Sequence, residues 1–251
     1  MKSQDDIVKM AVGGEKLSRV KDLLKKSVKE GVNAYDVELL ACKAIEKEGA
    51  KPSFKMVPGY SWATCVNINE GVVHGIPKKS IVFKKGDVVS VDVGIFYQGF
   101  HTDTSTTVEV GSNKKKSFLD SGRRALVAAI DQAKVGNFIY DISKAMEDVL
   151  RKNDLSPVRA LVGHGIGRKL HEDPHIPCFA KGSRKNSYRI KENDTFAIEV
   201  MYTKGNGDLV LEEDGWTIST EDFKLAALFE ETVVVEKKGA RILTNQDFPI
   251  L

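Results

Sequence analysis

Along residues 15–30, EKLSRVKDLLKKSVKE, apolar Leu17, Val20, Leu23, Leu24 and Val28 recur at three- and four-residue intervals within charged text, and Gly31 follows. That spacing predicts a helix with one apolar stripe, ended by its glycine. A second helix is predicted from about Asn33 through AYDVELLACKAIEKEGA, with Val37, Leu40, Ala41, Ala44 and Ile45 as its stripe and Gly49 and Pro52 as its stop. From Ser53 to Val110 the period falls to two, which predicts strands with turns at Pro58-Gly59, Glu70-Gly71, Lys85-Gly86 and Gln98-Gly99. Helical spacing returns from about Lys114 in KSFLDSGRRALVAAIDQAKV and DISKAMEDVLRKND, and strands dominate again from Ser156.

The order helix, helix, strands therefore occurs twice. A shift of 105 residues lays Tyr35-Asp36-Val37 on Tyr140-Asp141-Ile142 and Pro52 on Pro157. This pattern predicts an α+β fold in which residues 1–251 form a single domain of two halves, about 1–112 and 113–251. A pseudo-two-fold axis would relate the halves, one sheet would cross both, and the site would lie where they meet.

Composition narrows the partners. The 251 residues carry a net charge of only +3, from 38 basic and 35 acidic side chains, without the concentrated basic footprint of a dedicated DNA-binding protein. Cys42, Cys65 and Cys178 are odd in number and form no close pair, which argues against a disulfide framework or a thiolate metal site and suits a reducing cytoplasm. The opening MKSQDDIVKMAVGGEKLSRV lacks the apolar core of a signal peptide, and no run approaches eighteen apolar residues. The expectation is a cytoplasmic protein, neither exported nor membrane-spanning.

Acidic residues inside apolar text need a chemical reason. In VVSVDVGIFYQGFHTDTSTTVEV, alternation buries Val89, Val91, Val93 and Ile95 on one side and sets Asp92 on the other. A hairpin closing with Tyr97 opposite Gln98 would put Asp92 directly across from Asp103. Facing carboxylates repel, and a shared cation reverses the sign. Glu199 lies in TFAIEVMY, and either Glu230 or Glu231 must point inward from AALFEETVVV, because neighbouring strand residues face opposite sides. A buried carboxylate is costly unless neutralised or paired. Glycines flank His164 in GHGIG, which would let its backbone approach closely and adopt dihedrals closed to other residues, and His171 follows seven positions on. Four carboxylates and an imidazole suit two divalent ions such as Mn, Fe, Co or Zn. Such a pair activates water and polarises a carbonyl or phosphoryl group, so hydrolysis is the implied reaction class.

The motifs GAKPSF (49–54), NINEGVVHGIP (67–77), DVVSVDVGIFYQGFHTDTS (87–105), GHGIGRKLHEDP (163–174), TFAIEVM (195–201), DGWTIST (214–220) and FEET (229–232) occur in this order. Together they resemble the type I methionine aminopeptidases of the pita-bread fold, over nearly the whole chain. The resemblance implies five dimetal ligands, Asp92, Asp103, His164, Glu199 and Glu230, with Asp103 and Glu230 bridging. It chooses Glu230 over Glu231. It further implies that Glu199 moves the water's proton, that His171 stabilises the developing oxyanion, and that His74 holds the scissile nitrogen. Tyr60, Cys65 and Trp216 correspond to walls of a methionine pocket. The implied activity is removal of the initiator methionine from nascent polypeptides with a small second residue, by a cytoplasmic monomer.

Three positions depart from the family pattern. Glu231 stands where bacterial members usually carry histidine, Val200 where proline usually follows the glutamate, and Leu170 where an aromatic often closes the pocket. None replaces a ligand, though residues behind the ligands tune their orientation. The basic segment AKGSRKNSYRIKEN (180–193) reads as a solvated loop and the candidate point of transient ribosome contact. Between His171 and Glu199 there is no room for the long insertion of type II enzymes. Two rivals use the same fold. An X-Pro aminopeptidase or prolidase normally carries a large additional N-terminal domain and a different histidine pattern. A non-catalytic binding protein would have lost ligands that this chain keeps.

Overall fold

The structure is a computed structural model and describes residues 2–245. Four helices, α1 (Gln4–Ser27), α2 (Ala34–Lys47), α3 (Lys116–Gln132) and α4 (Ile139–Arg151), fall where the periodicity puts them. The exception is the start of α1, which lies well before residue 15. Ser3 opens the helix through a capping box: its hydroxyl accepts from the Asp6 N–H (3.2 Å), and the Asp6 carboxylate accepts from the Ser3 N–H (3.0 Å). The Gly13-Gly14 pair that hides this extension from the sequence serves a close approach, since a Cβ on Gly14 would stand 2.4 Å from the Leu243 carbonyl oxygen. Of the predicted stripe, Leu17, Val20, Leu24 and Val28 are buried, whereas Leu23 faces solvent. In α2, Val37, Ala41 and Ile45 are buried, while Leu40 and Ala44 are half-buried.

Thirteen strands lie among the described residues, β1 (Lys51–Pro52), β2 (Thr64–Ile68), β3 (Gly71–Val73), β4 (Val88–Tyr97), β5 (Phe100–Glu109), β6 (Ser156–Pro157), β7 (Val162–Gly165), β8 (Glu172–Pro177), β9 (Thr195–Thr203), β10 (Leu209–Leu211), β11 (Ile218–Thr220), β12 (Ala226–Glu236) and β13 (Gly239–Ile242), and all but β1, just ahead of Ser53, fall within the predicted strand segments. The main antiparallel sheet runs β1-β4-β5-β12-β9-β7-β8, with β2 on β4, β6 on β9 and β13 on β12. A smaller sheet, β10-β11-β3, stands beside it. One face of the main sheet is covered by helices. Helices α1 and α2 pack on Val66, Val89, Val91, Val93 and Ile95, and α3 and α4 on Ile198, Val200 and Tyr202. The opposite face carries the carboxylates, with Asp103 and Glu230 buried there. This is the pita-bread fold.

The offset of 105 recurs in space. Helices α2 and α4 start at Ala34 and Ile139, and Pro52 of β1 pairs with Ile95 just as Pro157 of β6 pairs with Tyr202. The central seam, between β5 and β12, joins the two sets of elements through Glu230↔Ser105 and Glu231↔Thr104.

The β4–β5 hairpin closes differently from the expectation. Tyr97 pairs with Phe100, and Gln98 and Gly99 form a two-residue turn with φ of 47° and 89°. Positive φ at both central positions is the primed turn whose twist matches the strands. The register therefore moves by two: Asp92 faces Ser105, and Asp103 faces Gly94. The two aspartates share a face as diagonal neighbours. Gly94 makes room for this, because a Cβ there would stand 3.1 Å from Asp103 Oδ1.

Candidate metal centre

Strand register alone gathers the carboxylates. Cys65 pairs with Asp92, Asp92 with Ser105, Ser105 with Glu230, and Glu230 with Glu199, so these residues form one row across β2, β4, β5, β12 and β9. Adjacent strands lie about 4.8 Å apart, which brings side chains of one row into mutual reach. Asp103 sits two residues along β5 on the same face. His164 of β7 pairs with Ala197, two residues from Glu199. Asp103, His164 and Glu230 are buried and offer ligand atoms within 4.8 Å of one another.

Glycines 163 and 165 aim His164 by close approach and not by special dihedrals, since neither has a positive φ. A Cβ on Gly163 would lie 2.8 Å from the Ala197 carbonyl oxygen, and one on Gly165 2.3 Å from that of Asp173. The His164 Nδ1–H donates to the Gly165 carbonyl (2.9 Å), which leaves Nε2 as a free electron pair.

Electrostatics mark the cluster as built for cations. Burial pushes the Asp103 carboxyl up to about 7. Burial, then the charge of Asp103, takes Glu199 to about 8. Asp92 and Glu230 are held well above the carboxylate range by burial first and by the neighbouring carboxylates second. His164 is pushed down to about 4 by burial and then by His171. Asp92 Oδ1 is buried and has no hydrogen-bond partner among the described residues. An orphaned carboxylate oxygen, three further carboxylates and an available imidazole nitrogen are the donor set that hard divalent ions take. The residues present fit such ions.

The other histidines converge on the same space. The His171 ring lies 4.5 Å from that of His164, at 83° to it. His74, with φ of 59°, has its pKa lowered by burial and then by the charge of His171. Burial, then His175, lowers His171. Both imidazoles are therefore neutral near pH 7. Beside them, Tyr60, Cys65 and Leu170 are buried in one apolar cluster with Phe54 and Ile166, and Trp216 packs against it. The Tyr60 ring stands 5.0 Å from Trp216, edge to face, and its hydroxyl donates to the Thr64 carbonyl (2.9 Å).

Two neighbours escaped the sequence reading. Trp62 stacks edge-on at 5.3 Å from Tyr60. His101 bonds Ser53 Oγ through Nδ1 (2.9 Å), and burial pushes it down to about 4. The HTDTS motif beside Asp103 was the available signal for His101; no periodic signal distinguishes Trp62. Glu231 also differs from a solvent-facing alternative. It faces away from Glu230, yet it is buried against Lys21, with Nζ–Oε1 at 2.6 Å. Val200 is fully buried in the helix-side core. The 180–193 loop is more than solvated: Arg184 pairs with Asp141 (2.6 and 2.7 Å), and the Tyr188 carbonyl accepts from Ile139 at the start of α4.

Comparison with known proteins supplies the family. The model of metallopeptidase family M24 matches residues 9–237. The chain belongs to metallopeptidase family M24. Within it, the chain is similar to the methionine aminopeptidase of Aquifex aeolicus, 39% identical with 97% of each chain covered. It also superposes on the crystal structure of methionine aminopeptidase from Thermotoga maritima with a TM-score of 0.94, at 39% identity and 98% coverage of both chains. Prolidase from Pyrococcus furiosus has a TM-score of 0.77 at 19% identity, covering 99% of this chain and 66% of that one, a likeness of fold alone.

Proposed function

We propose that this chain is a methionine aminopeptidase that removes the initiator methionine from nascent polypeptides and peptides whose second residue is small. The reading includes one catalytic domain of two related halves, two divalent ions per chain, a cytoplasmic location, a monomer, and transient ribosome contact through the 180–193 loop. The observation that carries it is the carboxylate row, with its orphaned Asp92 Oδ1, beside an aromatic-lined apolar cluster. No helix among the described residues is long and apolar enough to cross a membrane.

Asp92, Asp103, His164, Glu199 and Glu230 would hold the ions. When bound, these ions lower the pKa of a water, polarise the first residue's carbonyl and take its free α-amino group. Glu199 receives the proton of the attacking water and returns it to the leaving amine. Neutral His171 donates a hydrogen bond to the developing oxyanion, and His74 holds the scissile nitrogen. Tyr60, Cys65 and Trp216 enclose the methionine side chain, whose thioether packs favourably on aromatic edges.

The test supplies purified protein with Mn or Co and follows the masses of Met-Ala-Ser, Met-Lys-Ser and Ala-Pro-Ala. Release of methionine from Met-Ala-Ser alone is expected. Cleavage of only the proline peptide would instead establish an X-Pro peptidase, and no turnover together with no metal uptake would sink the enzyme reading.

A further inference from the structure

The seam between β5 and β12 carries Asp103, Ser105 and Glu230, yet its ladder is short. The β4–β5 ladder runs unbroken from Val88↔Glu109 to Tyr97↔Phe100, and the β9–β12 ladder from Thr195↔Val234 to Thr203↔Ala226. Between them, β5 and β12 pair only at Glu230↔Ser105 and Glu231↔Thr104. Side chains complete what the backbone ladder leaves open. Thr232 Oγ1 donates to the Asp103 carbonyl (2.7 Å) and accepts from the Asp103 N–H (2.9 Å). The Thr104 hydroxyl lies 2.8 Å from the Glu230 carbonyl oxygen and 3.1 Å from Glu231 Oε2, sharing its donation between them.

Glu231 gathers these bridges on the helix side. Its Oε2 also accepts from Thr244 Oγ1 (2.5 Å), which itself accepts from the Thr232 N–H (2.9 Å). Its Oε1 takes Lys21 Nζ of α1 (2.6 Å) and Asn245 Nδ2 (3.0 Å). Lys21 and Glu231 are 6% and 4% exposed, so each charge depends on the other for compensation. Strand alternation puts Glu231 and Thr104 directly behind the ligand-bearing positions Glu230 and Asp103.

We infer that Lys21 and Glu231 are positioning residues for the metal centre: their buried ion pair, acting through Thr104, fixes the separation of Asp103 and Glu230 across the seam. The inference rests on the proposed ligand set. Groups that orient ligands from behind typically change metal affinity by about 10–100-fold when removed.

The experiment titrates the metal-free protein with Mn by calorimetry, well below the melting temperature, for the unaltered chain and for Lys21→Met, Glu231→Gln, their double variant and Thr104→Val. Each single variant is expected to weaken Mn binding by about 10-fold or more. The double variant is expected to lose less than the two single losses combined, because no uncompensated buried charge remains. At saturating Mn, KM for Met-Ala-Ser should stay within about twofold of the unaltered value while kcat falls. Folded variants with a lower melting temperature and unchanged Mn affinity would overturn the inference, since the pair would then serve stability alone. If the charge variants fail to fold, the near-isosteric Thr104→Val decides, and unchanged Mn affinity there overturns the inference too. Absence of Mn uptake by the unaltered chain would instead remove the ligand assignment on which the inference stands.

Discussion

Asp103 is the electrostatic centre of the proposed ligands: its charge raises the proton affinity of Asp92, Glu199 and Glu230. It also sits at the seam, with its main chain clipped by Thr232. Replacing it by alanine removes a proposed ligand and leaves the backbone bridges in place. Asp103→Ala is expected to keep the far-ultraviolet circular dichroism of the unaltered chain while kcat/KM falls by more than about 100-fold, beyond the loss of a merely supporting group. Activity retained within tenfold would exclude Asp103 from the ligand set. Residues of this kind were legible in the sequence because a carboxylate in apolar alternation has few physical explanations. His101 and Trp62 were not: the partner of His101, Ser53, comes from 48 residues away, and nothing in the local pattern sets Trp62 apart beside Tyr60.

At the scale of elements, α1 does more than cover the sheet. Its N-terminal turns bring Ile7 and Met10 into the apolar cluster that holds Tyr60 and Cys65, and its middle brings Lys21 to Glu231. The Gly13-Gly14 pair reads locally as a break because glycine disfavours helix by about 1 kcal/mol against alanine. The packed structure reverses that preference. Gly14→Ala is expected to lower stability by about 1–3 kcal/mol, despite better helix propensity, because its methyl group meets the Leu243 carbonyl. Thermal and denaturant melts would read this, and an unchanged or raised midpoint would mean that α1 does not pack there. The hairpin of β4 and β5 teaches the same point in reverse. Its strands and turn site were legible, but its register depended on the backbone hand of two turn residues, which alternation does not specify.

For the whole molecule, the carboxylate cluster couples stability to pH. Asp103 titrates at about 7 and Glu199 at about 8 in the folded, cation-free protein, both above the ordinary carboxylate values of about 3.9 and 4.3. A raised folded value gives stability that is complete below the unfolded pKa and lost as pH rises through the folded one. Between about pH 7 and 8 the histidines His74, His101, His164 and His171 are mostly neutral in both states, because the ordinary imidazole value is about 6.5 and their folded values are lower still, so they add little slope there. The loss runs from the unfolded values up to the folded ones, so the chelator-treated protein is expected to melt at progressively lower temperature from pH 7 to pH 8, and the Mn-loaded protein to lose less. A cation-free midpoint that rises over this window would contradict the clustering of ionisable carboxylates.

Most of the elements, their α+β order, the apolar faces and the identity of the unusual acids were legible along the chain. These follow from local rules, the periods of helix and strand and the high free energy of an unpaired buried charge, which act over a few residues and so are written along the chain. The hairpin register, the lateral row from Cys65 to Glu199, the early start of α1, the use of Gly14 as a contact point and the fate of Glu231 emerged with packing. Each depends on which strand or helix arrives opposite a given residue. That choice is made by packing over the whole sheet, where residues 210 positions apart, such as Lys21 and Glu231, come within 2.6 Å.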